Sequence, residues 1–317
     1  MAFKDDPLGN KEAKENEAQA QSYLKTSCIF CKFKPNYLDA IPYLQKAADS
    51  YHGTKEWLNE IKCRENLARC FKETNSFWEE GTEYEKIAKI KLNQLSLSND
   101  ALISIQNAHS AMFSQREYES SIKCLVSLAQ DYLIRGEYNF SERCLKTAYE
   151  SIQKIFHVIA MNKDTSPITY VYKCIVDYVD ILIRNNKDES CADILNSTIK
   201  MIKEDDSSNI EQIEKCSVIL LGVFIILGEE KNYTDLVDMT DEGNNLRMIQ
   251  RLKNSIKDKN EKDFKDSLVD AEYILPGEMC KKLKNIFNKI NNQQDILLSK
   301  DINIKVDNEN NDDDDLR

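Results

Sequence analysis

Apolar residues recur along this chain at helical spacing, in blocks of about twenty residues separated by short polar breaks. The clearest block carries Tyr118, Ile122, Leu125, Val126, Ala129, Tyr132 and Leu133 in an i, i+4, i+7, i+8 stripe. Arg135-Gly136-Glu137 closes it, with Gly136 as the natural residue just past the helix end. A second stripe, Phe140, Cys144, Leu145, Ala148, Ile152, Ile155 and Phe156, makes Tyr118 to Phe156 an antiparallel helical hairpin. Upstream, helices are predicted over Lys11–Lys25, Thr54–Lys72 and Ser76–Leu95, and from Asn99-Asp100 toward Phe113, with Gly53 and Thr74-Asn75-Ser76 as punctuation. Downstream, Met161 to Pro167 is a break. A stripe of Ile168, Val171, Tyr172, Ile175, Val179 and Leu182 follows it, then helices over Glu189–Lys203 and Ile210–Leu227, the latter nearly apolar all round in its later half. Past Gly243 three shorter helices are expected, around Leu246–Ile256, Lys262–Tyr273 and Glu278–Ile290.

Each helical pair leaves an apolar face that only a neighbouring pair can cover, so pairs of this size stack. The expected fold is all-α: a tetratricopeptide-like solenoid of helical hairpins, forming a twisted sheet of antiparallel helices, with a C-terminal helical bundle. The tetratricopeptide likeness is loose and rests on Gly136-x-Tyr138 followed by Ala148. The expected layout is a flexible N-terminus over 1–10, the solenoid over 11–242, the bundle over 243–292 and a disordered acidic tail over 293–317.

Composition agrees with helices. Eight Gly and five Pro in 317 residues leave few turn signals, which argues against a sandwich or barrel. The N-terminus lacks the apolar core of a signal peptide. The longest apolar run, Val218 to Leu227, is broken by Gly222 and is shorter than the ~20 residues that span a bilayer. A soluble, intracellular protein is the expectation. The ten cysteines stand singly apart from Cys28-x-x-Cys31, which fits reduced thiols better than a disulfide framework. His52, His109 and His157 are in no ligand spacing, so no metal is expected.

A net charge of −11 argues against nucleic-acid binding as the main activity. Seven acids against Lys305 and Arg317 in residues 301–317 account for nearly half of that excess. No phosphate-binding loop, dinucleotide fingerprint, zinc-protease or nucleophile-elbow motif occurs, so the chain reads as a binding scaffold without catalytic residues or cofactor.

One connection stands out. Between the first two helices, Ile29, Phe30 and Phe33 alternate with Lys32 and Lys34 ahead of Pro35, so a loop there is both apolar and basic. Such a loop suits a lipid–water boundary, where rings enter the headgroup region and lysines stay with anionic phosphates. It equally suits a staple in which a ring folds back under the hairpin.

Tyr23-Leu24-Lys25-Thr26 and Lys32-Phe33-Lys34-Pro35-Asn36-Tyr37 resemble the first hairpin of gamma-type soluble NSF-attachment proteins, the SNAP family. The resemblance extends weakly along nearly the whole chain. It implies a helical solenoid that adapts a hexameric AAA ATPase of the NSF type to membrane-bound, syntaxin-like SNARE four-helix bundles, and so acts in vesicle fusion and intracellular transport. It also implies a cytoplasmic, peripherally membrane-associated protein. By this resemblance Ile29, Phe30, Lys32, Phe33 and Lys34 fall on the membrane-attachment loop. Lys123, Lys173 and Lys215 are similar in placement to lysines that face the SNARE bundle.

Asp312-Asp313-Asp314-Asp315-Leu316-Arg317 is similar to the acidic-Leu-Arg terminus of alpha-type members, whose penultimate Leu stimulates the ATPase. Asp258 belongs to the same expected contact. Two positions depart from the alpha-type pattern: Asp177 stands where another lysine is expected, and Lys257-Asp258 replaces an acidic pair. The alternative is a tetratricopeptide-like scaffold for unrelated helical or peptide partners, with Ile29, Phe30 and Phe33 in the core and a merely solubilising tail.

Overall fold

The computed structural model describes residues 7–26, 34–160, 165–204, 210–228 and 244–291. Among these the protein is entirely helical, built of consecutively packed helical hairpins. It divides into two compact units, Met1–Ile155 and Phe156–Arg317.

The first unit contains α1 (Pro7–Leu24), α2 (Tyr37–Gly53), α3 (Trp57–Glu73), α4 (Phe77–Asn93), α5 (Ser98–Ser114), α6 (Tyr118–Ile134) and most of α7 (Tyr138–Ala160). Pro7 starts α1, where its missing N–H costs nothing. Helices α2 to α6 are each 17 residues long. Helix starts advance by twenty residues from α2 to α7, except that the link before α5 carries one extra residue.

The reason for this regularity lies in the links. After α3 the amide of Asn75 returns to the Lys72 carbonyl (3.1 Å) and that of Ser76 to the Phe71 carbonyl (2.8 Å). The same pair of bonds recurs at Lys55/Glu56, Arg116/Glu117 and Gly136/Glu137. The second bond of each pair reaches five residues back, so it needs one residue in the left-handed region; Lys55, Asn75, Arg116 and Gly136 have φ of 59°, 57°, 65° and 76°.

Consecutive helices run antiparallel. Lys91 late in α4 meets Ser104 early in α5 (3.2 Å), and the Tyr132 hydroxyl donates to the Ser98 carbonyl across α5 and α6 (2.5 Å). Small residues bring α1 and α2 close: Ala13, Ala20, Ala40, Ala47 and Ala48 are fully buried around Leu44 and Tyr51. At Gly81 a Cβ would lie 2.6 Å from Met112 Cγ and 3.0 Å from the Ala108 carbonyl, so only glycine lets α4 approach α5 there. Of the expected stripe residues, Ile122, Leu125, Val126, Ala129 and Tyr132 are buried, as are Cys144, Leu145, Ala148, Ile152, Ile155 and Phe156. Phe140 stacks on Tyr132 with ring centroids 5.2 Å apart.

The second unit contains α8 (Thr165–Arg184), α9 (Asp188–Glu204), α10 (Ile210–Leu227), α11 (Asn244–Lys257), α12 (Glu261–Ala271) and α13 (277–291). The chain breaker Pro167 sits in the first turn of α8, where no intrahelical bond is lost. In α10, Val218 to Leu221 and Val223 are at most 2% exposed, whereas the last four residues are half-buried. The three shorter helices expected past Gly243 are present as α11, α12 and α13, and α13 is fastened to α8, α9 and α10. Asp180 accepts from the Glu278 amide (2.8 Å), Arg184 pairs with Glu278, Lys282 pairs with Asp188 (2.8 Å), and Gly222 admits the Met279 thioether. Burial raises the Asp180 pKa, and the Glu278 amide opposes that only in part.

Candidate binding surfaces

At the junction of α1 and α2 the stem is closed by the Asn36 amide donating to the Tyr23 carbonyl (2.9 Å) and by Tyr23 stacking on Tyr43 (centroids 5.6 Å apart). Asn36 caps α2 by accepting from the Asp39 amide (3.3 Å). Lys34 is exposed beside this stem, and Leu38, the second residue of α2, is 68% exposed. Ile29, Phe30, Lys32 and Phe33 lie outside the described residues.

Lys123 is exposed on α6 and forms an ion pair with Glu119 one turn earlier. In the second unit Lys173 is exposed on α8. The Lys215 ammonium of α10 lies 5.7 Å from the ring centroid of Tyr172, the residue before Lys173, a cation–π contact. Lys215 thus lies against the residue that precedes Lys173 in the sequence. Lys123 belongs to the other unit. Asp258 is exposed in the link between α11 and α12, next to exposed Lys257. Asp312, Asp313, Asp314, Asp315 and Leu316 lie outside the described residues.

Two polar clusters with buried members escaped the sequence reading. Arg64 on α3 is 8% exposed and donates to Glu60 (2.8 Å) and to Glu83 of α4 (2.9 Å); Lys86 pairs with Glu83 (2.6 Å) and His52 meets Glu60 (3.0 Å). Burial disfavours the Arg64 charge, but hydrogen bonds to Glu83 and Glu60 outweigh it and its pKa is raised. His109 on α5 contacts the Ser121 carbonyl through Nδ1 (3.2 Å) and the Ser151 hydroxyl through Nε2 (3.1 Å). Burial lowers its pKa, which favours a neutral ring that donates to Ser121. Both clusters join neighbouring helices.

The arrangement offers surfaces for binding. Among the described residues no three His, Cys, Asp or Glu side chains gather to hold a metal ion, and no helix is long and apolar enough to cross a membrane. Exposed apolar side chains include Leu58, Leu97 and Ile134 at helix ends of the first unit, none of which the helical stripes single out. The chain matches no protein-family model and no curated protein.

Proposed function

We propose that this protein is an adaptor of the SNAP type, which holds a membrane through the α1–α2 connection, grips a SNARE helical bundle through exposed lysines, and presents its acidic tail to an NSF-type hexameric AAA ATPase. The observation that carries this reading is the run of evenly spaced helical hairpins whose first stem is closed at Tyr23–Asn36. Basic Lys34 and exposed Leu38 stand at that end of the stem.

Ile29, Phe30 and Phe33 enter the headgroup layer in this reading while Lys32 and Lys34 stay with anionic phosphates, each worth ~1 kcal/mol. Lys173 and Lys215 form one contact with the acidic helices of the bundle, and Lys123 supplies another. Asp258 and Asp312 to Asp315 attract a basic ATPase surface, and Leu316 enters an apolar pocket there and stimulates ATP turnover. The adaptor itself performs no chemistry. It positions two partners at a membrane.

The test combines co-sedimentation on phosphatidylserine-containing liposomes with a pull-down using an NSF-type ATPase and an assembled SNARE bundle. Wild-type protein is expected to bridge all three. Phe30→Ser with Phe33→Ser should lose liposomes while keeping its melting temperature, and Lys173→Glu with Lys215→Glu should lose the bundle in a salt-sensitive way. Leu316→Ala should recruit the ATPase but fail to stimulate it. A wild-type protein that binds neither bundle nor ATPase would return the chain to the class of general helical-repeat scaffolds.

A further inference from the structure

The second unit carries an apolar groove between α12 and α13 that the adaptor reading leaves unused. It encloses about 440 Å3. Phe264, Leu268 and Phe287 form its floor, and Val269, 67% exposed, stands in its wall. The two phenyl rings stack with centroids 4.1 Å apart. Ion pairs Lys265–Glu261 (2.6 Å) and Lys284–Glu272 (3.0 Å) flank it, so both signs of charge line the rim.

The path of the chain indicates what fills this groove. Because Lys284 faces Glu272 while Phe287 faces Phe264, α12 and α13 are antiparallel, and α13 ends beside the start of α12. The described part of α13 runs to residue 291, one turn beyond Phe287. Four polar residues, Asn292-Gln293-Gln294-Asp295, precede the triplet Ile296-Leu297-Leu298, which Lys300 then follows. Five extended residues reach ~17 Å. The eleven-residue α12 is only ~16 Å long. Counted from residue 291, an extended chain therefore brings the triplet within reach of the groove.

We propose that Ile296-Leu297-Leu298 folds back in cis into the groove between α12 and α13, covering Val269 and Phe287. Asp295 and Lys300 bracket the triplet with one charge of each sign, to meet Lys265 or Lys284 on one side and Glu261 or Glu272 on the other. A tether this short gives a local concentration of order millimolar, so the chain's own segment fills the groove ahead of a second copy. This inference does not depend on the adaptor reading, and its test needs neither membrane nor ATPase.

Hydrogen exchange on the full chain, read by mass spectrometry, decides it. The amides of Ile296 to Leu298 should exchange at least about tenfold more slowly than those of 307–317. The protection should be unchanged on dilution and lost in Val269→Asp. It should also be lost in Leu297→Asp, a change beyond the described helices, with the melting temperature kept. Free exchange of the triplet in the wild type would overturn the proposal. So would protection that survives Val269→Asp, or protection that fades on dilution, which would make the occupant a second copy.

Discussion

At the scale of single residues, the links show how much the fold asks of side chains that sequence alone reads as ordinary. Lys55, Asn75, Ser96, Arg116, Asn186 and Lys259 all adopt positive φ, a conformation that costs an L-residue roughly 1 kcal/mol or more. Gly136 holds the equivalent position without that cost, and nothing lies within 4 Å of where its Cβ would be. Arg116→Gly should therefore raise stability by about 0.5–1 kcal/mol and Gly136→Ala lower it by about 1 kcal/mol, both measured from urea midpoints. The opposite sign at either site would show that contacts of the side chain, and not the backbone, set the energy of the link. Glu80 gives a pH-dependent case. It is 6% exposed, and burial raises its pKa, with Lys72 opposing the shift only in part. A carboxyl raised in the folded state holds its proton longer than in the unfolded chain, so at neutral pH its ionisation works against folding. Glu80→Gln should be more stable than the wild type at pH 7. The difference should shrink as pH falls through the raised value and vanish below the ordinary one near 4.5.

At the scale of elements, α3 and α4 are joined by a charge cluster that hydrophobic periodicity does not reveal. Glu60, Arg64 and Glu83 are all buried, and Arg64 bridges the two carboxylates. Removing one partner from such a set leaves charges desolvated and unanswered, typically at a cost of about 3–5 kcal/mol. Arg64→Met should lose stability on that order, and adding Glu60→Gln with Glu83→Gln should restore most of it. A melting curve for Arg64→Met indistinguishable from the wild type would mean that the remaining partners already satisfy the carboxylates. The helices themselves were largely legible, because stripes such as Ile122-Leu125-Val126-Ala129 can be satisfied only by one buried helical face. The twenty-residue period was harder to read. Its link residues, Lys55, Asn75 and Arg116, share a backbone conformation but no side-chain chemistry, so only Gly136 announced itself. Boundaries shifted for similar reasons: α1 begins at Pro7, earlier than its apolar residues suggest, since a proline at the first position starts a helix as readily as it ends one.

At the scale of the whole molecule, the candidate surfaces were less legible than the fold. Burial leaves a periodic trace, while an exposed lysine leaves none; the proximity of Tyr172 and Lys215 depends on α8 and α10 meeting, which spacing along the chain does not encode. The groove between α12 and α13 was likewise invisible, because Val269 reads as one more apolar residue on a helix. The cysteines offer a readout of both units at once. All eight described cysteines are free and buried: Cys63, Cys70, Cys124 and Cys144 in the first unit, Cys174, Cys191, Cys216 and Cys280 in the second. Burial pushes their pKa up, to about 12 for Cys63, Cys144, Cys191 and Cys216 and to about 11 for Cys70 and Cys280. The thiolate is the reactive form, so the folded protein should protect these eight from iodoacetamide at pH 8, and each should react only when its surroundings open. Each unit is one compact body, so its thiols are expected to become reactive together. Pulsed alkylation along a urea series, read peptide by peptide, is expected to give one midpoint for the four thiols of Met1–Ile155 and one for the four of Phe156–Arg317. Scattered midpoints within either set would show that its hairpins open one at a time, as a chain of repeats held by nearest neighbours would.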